Sequence, residues 1–143
     1  MESKEKITIS VQVKIHAPIE IVWKFWTTPE DIVKWNSASE DWHTTRAVND
    51  LRVGGKFLSR MEAKDGSIGF DFEGVYEAVK TNEQIEYTIG DGRKVKIDFT
   101  VNGNETQIVE SFEAEDIRSI EHQRGGWQAI LDSFKKHVEA NKQ

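Results

Sequence analysis

The sequence predicts an α+β fold: one antiparallel sheet curved around a long C-terminal helix, with two short helices after the first strand. Three observations predict it. Apolar residues alternate with polar ones through most of the chain, short clusters of turn residues separate the alternating runs, and after Glu113 the apolar spacing changes to three or four.

From Ile7 to Ile15 the odd positions hold Ile7, Ile9, Val11, Val13 and Ile15, with Thr8, Ser10, Gln12 and Lys14 between them. This is the pattern of a strand buried on one face. Ala17-Pro18 ends it, and Pro18 suits a first helical position, where its missing N–H would have no intrahelical partner. Ile19, Val22, Trp23 and Trp26 form the apolar stripe of the helix that follows. Thr28-Pro29-Glu30-Asp31 repeats the signal with a capping hydroxyl, a proline in the first turn and acids favoured by the positive end of the helix dipole. The second helix runs to about Trp35.

Strands fill the middle of the chain. Phe57, Ser59 and Met61 alternate with Lys56, Arg60 and Glu62, and Phe70 and Phe72 with Asp71 and Glu73. Lys64-Asp65-Gly66-Ser67, Gly90-Asp91-Gly92 and Asn102-Gly103-Asn104 tolerate positive φ and read as the turns of consecutive hairpins. Ile85, Tyr87 and Ile89, then Val95, Ile97, Phe99 and Val101, fall on one sheet face, whereas the run from Thr106 to Phe112 leaves its buried face ambiguous. Trp127, Ile130, Leu131, Phe134 and Val138 then mark one face of a terminal helix reaching about Ala140. At 1.5 Å per residue, roughly 20 residues span about 30 Å, enough to cross a small sheet.

A length of 143 residues suits a single domain over 1–143, large enough to bury a core and a cavity. The balance of 19 Lys+Arg against 25 Asp+Glu, with no basic stripe, argues against nucleic acid as a partner. With no cysteine, disulfides, thiolate nucleophiles and Cys-based zinc sites are excluded. The charged start from Met1 to Lys6 and the alternation after it form neither a signal-peptide core nor a membrane span, so a cytoplasmic protein is expected.

Several motifs carry a family resemblance. They include Ala17-Pro18 leading into Val22-Trp23, Thr28-Pro29-Glu30, Trp35-Asn36, Asp41-Trp42-His43 and Asp50-Leu51-Arg52-Val53-Gly54-Gly55-Lys56-Phe57. Arg60-Met61-Glu62-Ala63-Lys64-Asp65-Gly66, Phe70-Asp71-Phe72-Glu73-Gly74-Val75-Tyr76, Asp91-Gly92-Arg93 and Gly126-Trp127-Gln128-Ala129-Ile130-Leu131 continue the series. In this order, from about Ile7 to Val138, they resemble the heat-shock-protein-90 ATPase activator homologue family. The resemblance implies the START-like helix-grip fold, which also houses polyketide cyclases and lipid-transfer domains, so fold alone does not select an activity. The resemblance is to the C-terminal domain of the eukaryotic activators, and at this length their N-terminal chaperone-binding domain is not expected.

The leading site expectation is a pocket between the concave sheet face and the terminal helix, lined by Phe57, Met61, Phe70, Phe72, Tyr87, Phe99, Trp127, Ile130 and Phe134. Such residues suit an apolar or aromatic ligand, and packing against one another as ordinary core is their plain alternative. Small residues at Ser59, Ala63 and Gly74 favour open space. His43, beside Trp42 near the expected mouth, is the candidate to orient a ligand or move a proton. His16, His122 and His137 rank below it, and no histidine pair has metal-ligand spacing.

Other motifs read as structural. Gly54-Gly55 and Gly125-Gly126 lack a phosphate-loop pattern and read as turn or close-packing positions. Asp71 and Glu73 share the face opposite the phenylalanines, where solvation explains them. Asp91 and Arg93 read as a local pair in a turn. No serine stands in a G-x-S-x-G elbow, and no metal or organic cofactor is expected.

Three functions compete. The first is a binding or carrier domain for a small hydrophobic molecule, lipid-like or aromatic, oriented by His43, Tyr87 or Trp127. The second is a cofactor-independent cyclase-type enzyme, which needs convergent polar groups. The third is a protein-interaction domain with a chaperone among its possible partners, which needs an exposed apolar patch; Trp23, Trp26, Trp35 and Trp42 hint at one.

Overall fold

The structure, a computed structural model, describes residues 7–141; the charged Met1–Lys6 stretch lies outside the described residues. Strand β1 (Thr8–Ile15) is followed by helices α1 (Ile19–Thr27) and α2 (Pro29–Trp35). Strands β2 (Trp42–Asn49), β3 (Lys56–Ala63), β4 (Gly69–Lys80), β5 (Gln84–Ile89), β6 (Lys94–Asn102) and β7 (Glu105–Glu113) come next, and α3 (Ile120–Asn141) ends the described chain. The sheet order is β1-β7-β6-β5-β4-β3-β2. Every neighbouring pair is antiparallel, so hairpins join β2 through β7 and β1 closes against β7. This is the helix-grip arrangement: a curled sheet holding α3 in its concave face.

Alternation decides which side chains enter. Ile9, Val11 and Ile15 of β1, Val95 and Ile97 of β6, and Ile108 and Phe112 of β7 are buried against Leu131, Phe134 and Val138 of α3. Each such side chain contributes about 1.5–3 kcal/mol of transfer free energy. These residues anchor the half of the sheet nearest β1. The half from β3 to β5 carries larger aromatic side chains and stands less fully filled.

Several local expectations are corrected. Pro18 occupies the N-cap, with extended backbone, and the helix proper starts at Ile19. The Thr28 hydroxyl caps nothing on α2; it donates to the Lys24 carbonyl at 2.6 Å and closes the end of α1. Pro29 does stand in the first turn of α2. Gly125 and Gly126 lie within α3, and a Cβ on either would meet no atom within 4 Å, so neither is a turn or a close-packing position. Gly74 leaves no open space, because a Cβ there would stand 2.7 Å from the Phe57 ring. The turn between β4 and β5 is made by Asn82 at φ 65°, a conformation that asparagine tolerates better than most residues.

Candidate binding pocket

A pocket of about 420 Å³ opens between the β3–β5 half of the sheet and α3. Strand β3 contributes Phe57, Ser59 and Met61, alternate residues on the inner face, as the period of two dictates. Strand β4 adds Phe70, Phe72 and Tyr76, β5 adds Tyr87, and α3 covers them with Gly126, Trp127 and Ile130. Trp26, Ile32 and Trp35 of the short helices and Trp42 and Val48 of β2 complete the apolar wall.

The aromatic groups hold one another in place. Trp127 stacks on Phe112 with ring centroids 3.9 Å apart and meets the edge of Phe72 at 6.2 Å. Phe57 contacts Phe72, Tyr76 and Tyr87, the last at 4.7 Å. Trp26 stacks on Trp35 at 4.9 Å, and the Trp35 indole donates to the Phe25 carbonyl. Such contacts add about 0.5–1.5 kcal/mol each beyond burial and fix the wall's shape.

The predicted site residues divide. Phe57, Met61, Phe70, Phe72, Tyr87, Trp127 and Ile130 line the pocket. Phe134 does not: it is wholly buried, edge-on to both Trp26 and Trp35, and belongs to the core. Phe99 is also core, packed against Trp23 and Trp26. His43 is exposed and outside the pocket, because on β2 it alternates with Trp42 and Thr44 and so shares the outer face with Glu62 opposite. Of the other histidines, His122 on α3 reaches the lining, whereas His137 sits 3.1 Å from Asp31.

Polar groups are concentrated at a few points. Near α1 and β2, the Tyr76 hydroxyl donates to the Asn49 side-chain oxygen while the Asn49 amide donates to the Thr27 carbonyl at 2.7 Å. Burial raises the Tyr76 phenol above its ordinary value. At the start of α3, Gln123 is buried and donates to the Glu115 and Arg118 carbonyls, tying the β7–α3 connection to the helix. Arg93, read from sequence as part of a turn pair, does lie 2.8 Å from Asp91 but also lines the pocket and stands 3.8 Å from Glu115.

The residue the sequence reading missed is Glu110. It is only 5% exposed, lines the pocket from the middle of β7, and burial raises its carboxyl to about 8. Tyr87, also buried, has its phenol raised well above the usual range by burial and then by the neighbouring Glu110 charge. A signal was present: Glu110 has the same parity as Ile108 and Phe112, the inward face of β7. Among the described residues, no group of three or more His, Asp or Glu side chains is placed to hold a metal ion. No described helix is long and apolar enough to cross a membrane.

The family model for activator of Hsp90 ATPase homolog 1-like proteins matches residues 16–139. The chain belongs to this family. Two solution structures fall close to this AHSA1-like chain. An AHSA1-like protein from Aeromonas hydrophila is 44% identical, with 94% of this chain and 93% of that chain covered and a TM-score of 0.89. A protein from Cytophaga hutchinsonii is 57% identical over the same shares, with a TM-score of 0.81. A crystal structure from Nitrosomonas europaea, 18% identical with 94% and 96% covered and a TM-score of 0.81, shares the fold. No curated protein matches the chain.

Proposed function

We propose that this AHSA1-like protein binds or carries a small, largely apolar molecule in the pocket between its sheet and α3. The observation that supports this best is the pocket itself: about 420 Å³, walled largely by aromatic side chains, with its polar groups gathered at a few points. That volume falls within the range of small-molecule sites, and an apolar wall with a few placed polar groups is their usual chemistry. The aromatic wall is braced from outside by Phe112 against Trp127 and by Phe134 against Trp26, and a wall held in this way lowers the ordering cost of binding. A titration of labelled protein with fatty acids and aromatic compounds, followed by NMR, tests this. Saturable shifts centred on Trp127, Phe72 and Tyr87 are expected; no saturable shift with any compound would overturn the reading.

One observation favours a second reading, a cofactor-independent enzyme of the cyclase type. Glu110 and Tyr87 meet in one pocket, and a carboxyl raised to about 8 is suited to proton transfer near neutral pH. Under that reading, a compound that binds saturably is also converted, and Glu110→Gln abolishes conversion while leaving binding in place. Binding without conversion returns the protein to the carrier role.

A further inference from the structure

Glu110 is a polar group in an apolar setting. Its neighbours on the inner face of β7 are Ile108 and Phe112, and across the sheet it pairs in register with Ile97 of β6 and Val11 of β1. Among the described residues none donates a hydrogen bond to its carboxyl, and burial alone sets its protonation. The Tyr87 hydroxyl likewise has no hydrogen-bond partner among the described residues, and it lines the same pocket. No buried side-chain polar atom among the described residues lacks a partner, so these two groups reach the pocket surface, and two unused groups facing one cavity mark where a ligand's polar atom belongs.

We infer that Glu110 recognises its ligand as a hydrogen-bond donor, and that the ligand class is a neutral aromatic carbonyl compound whose oxygen is seated against Glu110 and Tyr87. This rests on the binding reading above and names the ligand chemistry of that same pocket. A protonated carboxyl and a phenol both offer O–H groups, and a carbonyl oxygen has two lone pairs to receive them. The rings of Trp127 and Phe72 take the apolar part of the molecule, edge or face, as they take each other.

The main rival is an organic ammonium ion, for which a carboxylate in an aromatic box is also suited. The surrounding charges disfavour it. The titratable and charged groups that share the pocket with Glu110 are Tyr76 from β4, Tyr87 from β5, Arg93 from the β5–β6 turn, Glu115 and Arg118 from the β7–α3 connection, and His122 from α3. Arg93 and Arg118 each stand beside Glu115, so that acid is already engaged and the basic groups oppose an entering cation. Burying both an ammonium and a charged Glu110 would further require stripping water from two ions.

The test uses matched probes: 2-acetylnaphthalene, 2-ethylnaphthalene, which has the shape without the oxygen, and 2-naphthylmethylamine. Dissociation constants are measured by NMR titration at pH 6 and pH 9.5 for the wild type, Glu110→Gln and Glu110→Leu. The ketone is expected to bind roughly three- to tenfold more tightly than the ethyl compound at pH 6, the ratio one neutral hydrogen bond supports. That preference falls at pH 9.5 in the wild type, where an ionised Glu110 no longer donates and Tyr87 alone does; it is kept at both values in Glu110→Gln, whose amide still donates, and is reduced at both values in Glu110→Leu. If Glu110→Leu does not fold, the contrast between wild type and Glu110→Gln at pH 9.5 decides alone. Equal binding of ketone and ethyl compound to the wild type at pH 6, or tightest binding of the amine, overturns the inference while the binding reading stands. Failure of all three probes to bind overturns the inference, and the binding reading falls with it only where fatty acids and the wider aromatic set also give no saturable shift.

Discussion

Replacing Glu110 by glutamine should change how the protein's stability responds to pH. The side chain is 5% exposed, and burial moves its carboxyl from 4.5 to about 8. The folded state therefore holds this proton more tightly than the unfolded chain does. Below pH 4.5 both states are protonated and burial of the acid costs no charge; above pH 8 both are ionised and the native state carries a buried carboxylate. Stability is thus fully present at low pH and is lost as pH rises through this window. At 1.36 kcal/mol per pH unit, the loss between pH 5 and pH 9 is about 4 kcal/mol, a large share of a small domain's total. Glutamine has nearly the same shape and no proton to lose. Urea denaturation followed by tryptophan fluorescence at pH 5, 7 and 9 should show the Glu110→Gln protein gaining on the wild type by that amount, while groups common to both proteins cancel in the difference. Parallel stability profiles for the two proteins would refute the assignment of Glu110 as a buried, uncharged acid.

Other substitutions separate pocket from core. Phe134→Ala should cost about 3–5 kcal/mol in denaturant titration, since the ring is wholly buried against Trp26 and Trp35. Trp127→Ala removes the stack on Phe112 and part of the pocket wall, and should weaken binding of an aromatic probe roughly tenfold by fluorescence titration. His43→Ala, on the exposed face, should leave stability within about 0.5 kcal/mol of wild type and leave probe binding unchanged. Gly125→Ala should raise stability by about 1 kcal/mol in the same denaturant assay, because the position is helical and a methyl group meets nothing within 4 Å.

The fold was legible because its signals are periodic. Ile9, Val11 and Ile15 read as one strand face without reference to any other part of the chain, and Leu131, Phe134 and Val138 read as one helix face in the same way. Glycine and asparagine turns marked three hairpins for the same local reason. What periodicity does not encode is depth. Phe99 and Phe72 both alternate correctly onto the inner face, yet Phe99 lies under Trp23 and Trp26 while Phe72 faces open pocket. The difference is set by where α1 and α2 lie over the sheet, a long-range fact. Thr28 failed for a related reason: a hydroxyl between two helices can serve either, and here it serves the first.

The site was half legible. Aromatic residues announce a possible pocket, but a polar group inside one is visible only through strand parity. His43 drew attention as a titratable residue beside Trp42, yet adjacent residues on a strand point to opposite faces, so the tryptophan at the pocket guarantees a histidine away from it. Glu110 follows from the same rule applied to β7. Its position between Ile108 and Phe112 places it inward once β7 is known to lie between β1 and β6.

A carrier role requires that a small molecule occupy the space between the sheet and α3. The most direct measurement is a set of intermolecular nuclear Overhauser effects from the protons of bound 2-acetylnaphthalene in an isotope-filtered NMR experiment. Contacts to Phe72, Tyr87, Trp127 and Ile130 are predicted, with the acetyl methyl nearest Tyr87 and the β7 strand around Glu110. Contacts confined to the outer sheet face around His43 and Glu62, or a complex without contacts to any pocket residue, would contradict it.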